Sequence, residues 1–370
     1  MKYSTSHHAR RLLVMLSLAL MPVALVAQEL AISQVRPDKT RVLSSKNESV
    51  QVRFSLSAPA QVVLRLYDGR DLQIREIATR SVLPAGEHTI SWDLRDQRGR
   101  PVPDEAYSYV IEARGSDGKI VRHDLTDLTG GTDLAVRDVK WDAQSSKLSY
   151  VLDKPGRVSV RMGLNDGGPL LQTLLDWVVR PAGLQQETWD GKDASNVLDL
   201  SRHPRLVTSV QAFVLPENSI LVGSAPVKVA LISDLDSKAP RREQIARTAK
   251  RMYAHGQQPL DARGDFKVHL TMPKDLPRNA AGLPIVSATV PVKLDVDAKD
   301  RERALARRFE PVFFVDGQFA FENEVGFVPM TWNFDPSALN AGEHFLTVNL
   351  RGYEGNFGMA TVKVLVQRPN

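Results

Sequence analysis

Cysteine is absent from all 370 residues, which excludes disulfides, thiolate metal sites, cysteine nucleophiles and covalently attached c-type haem together. Long apolar runs are equally scarce. The one extended run, Leu12 to Leu20, is shorter than the roughly 20 residues a membrane-spanning helix needs. The sequence also lacks the short motifs that announce common chemistries: a Gly-x-Ser-x-Gly elbow, a His-Glu-x-x-His zinc helix, a phosphate-binding loop and a Gly-x-Gly-x-x-Gly turn. What is present is ordinary globular composition, 42% hydrophobic and 25% charged, enough chain for two or three independent cores.

The first 27 residues read as a secretory signal. Lys2, Arg10 and Arg11 form a basic start, Leu12 to Leu20 an apolar centre, and Pro22 to Ala27 a short exit ending in a small residue. Cleavage after Ala27 is the expectation, and an uncleaved anchor the alternative. Removing this segment leaves 45 basic against 43 acidic groups, a net charge of +2, so a global field for nucleic acid or anionic membrane loses its support. The expected mature chain is not an integral membrane protein. Export to an oxidising compartment without cysteine means that each domain is stabilised by apolar burial.

Beyond the signal, apolar residues recur every second position. Val50, Val52, Phe54 and Leu56 alternate with polar residues, as do Val62, Leu64 and Leu66, then Ile90, Trp92 and Leu94, then Tyr107, Tyr109 and Ile111. Side chains two apart share one face of a strand, so each run predicts a strand with one buried face. Turn residues separate the runs at Asp68-Gly69, Pro84-Ala85-Gly86 and Arg98-Gly99. Short strands at this spacing predict an all-β fold of antiparallel two-sheet sandwiches.

The pattern repeats. Pro59 to Leu66 matches Pro155 to Met162 at an offset of 96, and Pro84-Ala85-Gly86 with Trp92-Asp93 matches Pro181-Ala182-Gly183 with Trp189-Asp190 at an offset of 97. Two matches at nearly one offset predict tandem copies of one module. In each, Gly86 or Gly183 reverses the chain, Trp92 or Trp189 enters the core, and Asp93 or Asp190 bonds turn amides. This is a structural motif and not a catalytic one.

The stretch from Val50 to Ala113, with its Pro-Ala-Gly-Glu-His-Thr-Ile-Ser-Trp-Asp, its Gly99 to Asp104 turn and its Tyr107-Ser108-Tyr109, resembles the Ig-like domain of the flagellar hook-capping protein family. The second copy resembles it more loosely, with Ser195 to Arg205 in place of the turn after Trp189-Asp190-Gly191. The resemblance implies an Ig-like fold. It does not carry the hook-capping role, because hook caps leave by the flagellar export route and need no signal of the kind seen at Lys2 to Ala27.

From about 265 onward a third module follows, with alternation at Val290, Val292, Leu294 and Val296, a hairpin turn at Asp316-Gly317, and the strands around Trp332 and Phe345 to Val348. It is similar to bacterial Ig-like repeats of surface and periplasmic proteins. The resulting domain expectation is a signal over 1–27, Ig-like domains over 28–130, 131–237 and 265–370, and a basic linker over 238–264. In the linker, Arg241 to His255 sets Ile245, Ala249, Met252 and Tyr253 on one helical stripe, a short helix with a solvated basic face. Arg301, Arg303, Arg307 and Arg308 are candidates to enlarge that patch.

Candidate ligands are sparse. The six histidines after the signal lie more than a helical turn apart, and His88 and His344 each follow Gly-Glu before a strand, a geometric role. Calcium is the one metal weighed: Asp295, Asp297 and Asp300 cluster at a strand end, with Asp234 and Asp236 a second pair, but neither fits the EF-hand pattern, and solvated acids are the preferred reading. No cofactor is expected. Nine of the twelve phenylalanines lie between Phe309 and Phe357, and adjacent Phe313 and Phe314 must face opposite ways on a strand, so one of them is expected to be buried against something else, a neighbouring module, a partner protein or a sugar ring, with a protein partner surface preferred. The function expected is a non-enzymatic exported scaffold that presents Ig-like domains to protein partners, in the periplasm or at the cell surface; a cell-wall or extracellular polysaccharide is the alternative ligand. An open strand edge with an apolar patch would favour protein, and coplanar aromatics in a groove would favour sugar.

Overall fold

The period-two runs fold into strands throughout. A computed structural model describes residues 29–43, 48–69, 71–128, 130–223, 264–353 and 355–368. The expected signal, almost all of the basic linker and the Asp234/Asp236 pair lie outside these residues. Among the described residues no helix is long and apolar enough to cross a membrane.

The chain is all-β, a tandem of antiparallel two-sheet sandwiches. The first is built from β1 (Ile32–Pro37), β2 (Arg41–Val42), β3 (Val50–Leu56), β4 (Ala60–Tyr67), β5 (Gln73–Ala78), β6 (Gly86–Trp92), β7 (Glu105–Gly115) and β8 (Ile120–Asp124), followed by one helical turn, α1 (Leu125–Leu128). One sheet runs β1-β3-β6; in the other, β4 lies between β5 and β7. The alternating residues of β3 and β4 meet Trp92, Tyr107 and Tyr109 in one core.

The second sandwich consists of β9 (Val136–Asp142), β10 (Lys147–Leu152), β11 (Gly156–Leu164), β12 (Leu170–Arg180), β13 (Gly183–Thr188) and β14 (Leu206–Val214), arranged as sheets β13-β10-β9 and β12-β11-β14 around Trp189 and Tyr150. The chain then goes back. A short strand, β15 (Ile220–Val222), pairs antiparallel with Tyr107 to Glu105 of β7 and parallel with β2. β8 pairs with Val110 to Arg114 of the same strand, opposite β4. β8 and β15 are therefore two halves of one strand line, and the second sandwich is inserted between them. The connector entering the insertion touches the one leaving it: a Cβ on Gly130, whose φ is +96°, would lie 2.7 Å from the Pro216 nitrogen. Residues 220–222, expected in the second domain, thus complete the first, because the exposed edge of β7 next to Glu105 to Tyr107 requires a partner and periodicity cannot say which sheet a strand joins.

The third sandwich comprises β16 (Val268–Thr271), β17 (Ile285–Val286), β18 (Val290–Val296), helix α2 (Ala298–Arg307), β19 (Phe309–Val315), β20 (Gln318–Glu322), β21 (Met330–Phe334), β22 (Gly342–Gly352) and β23 (Phe357–Val366). Its sheets, β16-β18-β21 and β17-β23-β22-β19-β20, reproduce the first sandwich strand for strand. Even the short parallel pair recurs, β17 with β23 here and β2 with β15 there. The long β23 takes the place of β8 and β15 combined.

Candidate functional site

The repeated residues do the same work in each copy. Trp92 Nε1 donates to the Arg95 carbonyl (3.0 Å) and Trp189 Nε1 to that of Lys192 (2.9 Å), so both indoles are buried with their one polar atom satisfied. Asp93 accepts from the Arg95 amide, Asp190 from the Lys192 amide and, in the third sandwich, Asp335 from the Ser337 amide. Phe334, paired with Val290 as Trp92 is with Val50, supplies the buried aromatic there. The reversal glycines Gly86 and Gly183, which precede the Trp, have φ of +121° and +101°, and Gly342, which follows Phe334-Asp335 and opens β22, has a φ of +140°, values open to glycine. Two residues beyond each, a side-chain nitrogen meets the carbonyl four residues earlier: His88 to Pro84, Gln185 to Pro181 and His344 to Asn340, at 2.7, 2.9 and 2.8 Å.

The aromatic-Asp turn also decides what happens to a sheet edge. In the first sandwich Asp96 organises the next turn by accepting from the Arg98 and Arg100 amides, and Gln97 then donates its amide to Ile74 on the outer edge of β5 (2.8 Å) while its side chain accepts from the Glu76 amide. In the second, Asp193 accepts from the Val197 and Leu198 amides, and Ala194 donates to Leu171 of β12 (2.9 Å), again 97 residues on. The sequence comparison placed an unrelated turn at Ser195 to Arg205; the turn is retained, with Asn196 at φ +54° where the first copy has Gly99 at +77°.

β12 is covered a second time, by the third sandwich. The Asn349 side chain accepts from the Leu170 amide (2.8 Å) and donates to the Leu170 carbonyl (2.7 Å), imitating a neighbouring strand. Thr173 donates to Asp265, Ser195 accepts from the Thr361 amide, and Arg161 donates to the Gly355 carbonyl while stacking on Phe357. These side chains thus bond across the junction.

β20 is the counterpart of β5 and β12, and nothing among the described residues covers its outer edge. The Phe334-Asp335 turn runs straight on to the Gly342 reversal and sends no amide to it. Every residue of β20 is exposed, Phe319 by 57% and Phe321 by 39%. The chain leaving β20 stays along the same side: Asn323 donates its amide to Pro311, and Gly326 packs on the Phe309 backbone. It adds Val325 and Phe327, 74% and 48% exposed. β20 thus pairs on one side with β19 and carries an apolar border on the other.

The structure places the two candidate phenylalanines inside. Phe313 and Phe314 are both buried: Phe313 sits in the core against Trp332, 4.9 Å between ring centroids, and Phe314 lies on the opposite face beside Thr347. Strand alternation identifies that two faces are used, but not that both are covered. The aspartates are separated too. Asp295 pairs with Arg301 (2.7 Å) and Lys293, Asp297 caps α2, and Asp300 accepts from the Lys267 amide and Arg303. Asp297 thus caps the helix and does not continue the strand, and among the described residues no group of three acidic or histidine side chains converges. Arg303 lies over the Phe266 ring at 4.7 Å, so this arginine is used within the sandwich and not in a free basic patch.

No family model matches the chain, and no curated protein matches it in sequence. Solved structures that resemble it include FlgD from P. aeruginosa, 18% identical over 32% of this chain and 83% of that one, with a TM-score of 0.21. A solved segment of a 1.5-MDa bacterial ice-binding adhesin is 14% identical over 92% of this chain and all of the solved chain, TM-score 0.19. A tetra-tandem repeat from the extending region of a large adhesion protein is 13% identical, covering 93% and 75%, TM-score 0.20. The fold assignment rests on the strand pairing above and not on these scores.

Proposed function

We propose that this protein is a non-enzymatic exported scaffold whose tandem Ig-like sandwiches present a surface to protein partners in a periplasmic or cell-surface assembly. One observation supports this reading most: the outer edge of β20, with Phe319 and Phe321 exposed on it, is open where the corresponding edges of the first two sandwiches are covered. The aromatics border a strand edge, which favours a protein over a sugar ring. The test is recovery of partners from the native envelope with tagged protein, comparing the parent with Phe319→Lys/Phe321→Lys. Defined proteins captured by the parent and lost from the variant support the scaffold. Retention of the parent on purified wall glycan, with no protein recovered, would favour the polysaccharide alternative and overturn it.

A further inference from the structure

We infer that the edge of β20 is a β-augmentation site for an extended partner segment with apolar side chains in its centre and basic residues flanking them; the inference rests on the scaffold reading and specifies its partner. The molecule itself shows how this edge is used. On β5 a backbone amide from the Asp96 turn fills it, and on β12 an amide from the Asp193 turn and the carboxamide of Asn349 fill it, each supplying the hydrogen bonds of a neighbouring strand. The third sandwich keeps the aromatic-Asp turn but omits the covering amide, so among the described residues nothing pairs with the outer side of β20.

Edges left open in soluble proteins are normally blunted by lysine, proline or a charge at the centre of the strand. β5 carries Arg75 and Glu76, and β1 carries Arg36 and ends on Pro37. β20 reads Gln-Phe-Ala-Phe-Glu, with none of these before its last residue, and its one irregularity is a register shift against β19 between Phe321 and Phe319. Such an edge is suited to pairing, and its charge selects the partner. From Gln318 to Phe327 there are two acids, Glu322 and Glu324, and no lysine, arginine or histidine. Both acids are exposed, and Asp316 stands at the other end of the strand.

The same charges disfavour a second copy of this chain. Antiparallel self-pairing centred on Ala320 would set Phe319 against Phe321 of the other copy but bring Glu324 opposite Asp316 at both ends, and like charges directly opposite are destabilising. A segment with lysine or arginine at those positions gains where the second copy loses. Phe321, across from Phe313, and Phe319, across from Phe314, then flank the added segment on opposite faces of the sheet, while the backbone bonds are indifferent to sequence.

The probe is a synthetic nine-residue peptide of alternating valine and threonine flanked by paired lysines, titrated into the full chain by fluorescence anisotropy at low salt. Hydrogen exchange reads its position. Saturable binding is expected, with new amide protection confined to Gln318 to Glu322, at least tenfold weaker binding of the glutamate-flanked peptide, and no binding of a version N-methylated at alternate amides. Phe319→Lys, at an exposed position that leaves the core untouched, is expected to weaken the lysine peptide at least tenfold without shifting the melting temperature. Glu322→Lys/Glu324→Lys is expected to reverse the preference between the two flanks. Equal binding of both peptides, binding that survives N-methylation, protection elsewhere, or no binding at all would overturn the inference. Envelope proteins captured in a Phe319-dependent manner while the peptide fails would leave the scaffold reading intact and remove the strand-addition mode alone.

Discussion

The indoles of Trp92 and Trp189 each fill a sandwich core and hold the carbonyl three residues on, so that truncation removes packing and strands a polar group at once. Trp92→Ala and Trp189→Ala are each expected to cost about 3–5 kcal/mol in denaturant unfolding. A variant that melts like the parent would show that its indole is not a core residue. His344 makes a different kind of contribution. Its Nε2 faces the Asn340 carbonyl and its Nδ1 faces the Asp316 carboxylate at 2.6 Å, both acceptors, so only the imidazolium can donate to each. Burial pulls its pKa down, but the hydrogen bonds to Asp316 and Asn340 and the carboxylate charge outweigh it, and the net shift is upward. A raised native pKa gives stability that is complete below the unfolded value of about 6.5 and is lost as pH rises through the native one. His344→Gln keeps the bond to Asn340, as Gln185 does to Pro181, and removes the titration. The melting temperature of the parent should exceed that of the variant at pH 6 and converge on it by pH 9; a gap constant with pH would refute the ionised latch. The latch sits at the turn carrying β20, because Asp316 also accepts from the Phe345 amide.

At the scale of elements, strand periodicity and the 97-residue offset reveal the sandwiches and their first repeat, since both follow from which side chains must be buried. The third aromatic-Asp turn, Phe334-Asp335, is equally present in the sequence but hidden by the change from indole to phenyl. The covering turn of the second copy is hidden because Asn196 replaces Gly99, two residue types that share a tolerance for positive φ. The exposed edge is harder to read for a further reason: Phe313 and Phe321 are both phenylalanines in adjacent strands of one sheet, and only the strand order makes one internal and the other an edge. The split strand line of β8 and β15 has no sequence signature at all, because its halves are separated by a whole domain. It has a measurable consequence. Ile220 is wholly buried in the first core, so Ile220→Ala is expected to destabilise the first sandwich by about 2–5 kcal/mol although it follows the second in sequence. Hydrogen exchange on β7 should report the loss; protection lost only within β9 to β14 would contradict the insertion.

For the whole molecule, the insertion ties the first two sandwiches by two chain crossings, and a buried ion pair closes the seam. Glu105 begins β7 and Arg157 lies in β11; their charged atoms approach to 2.7 Å, with side-chain exposures of 1% and 7%. A pair so placed is costly to break and of little net benefit to form, since each charge is removed from water, although Glu105 also accepts from the Ala106 amide (2.7 Å). Its value is then in fixing how the sandwiches meet, and single and paired substitutions separate those roles. Glu105→Ala leaves Arg157 buried without its carboxylate and is expected to cost about 3–5 kcal/mol. Replacing both, as Glu105→Leu/Arg157→Met, restores most of that loss, because two apolar side chains of similar length carry no desolvation cost. If the pair specifies the seam, the restored variant still unfolds in two separate transitions by calorimetry while the parent unfolds the two sandwiches together. A double variant that unfolds in one transition like the parent would assign the coupling to the shared strand line and the adjoining connectors at Gly130 and Pro216, leaving the ion pair no role in fixing the seam.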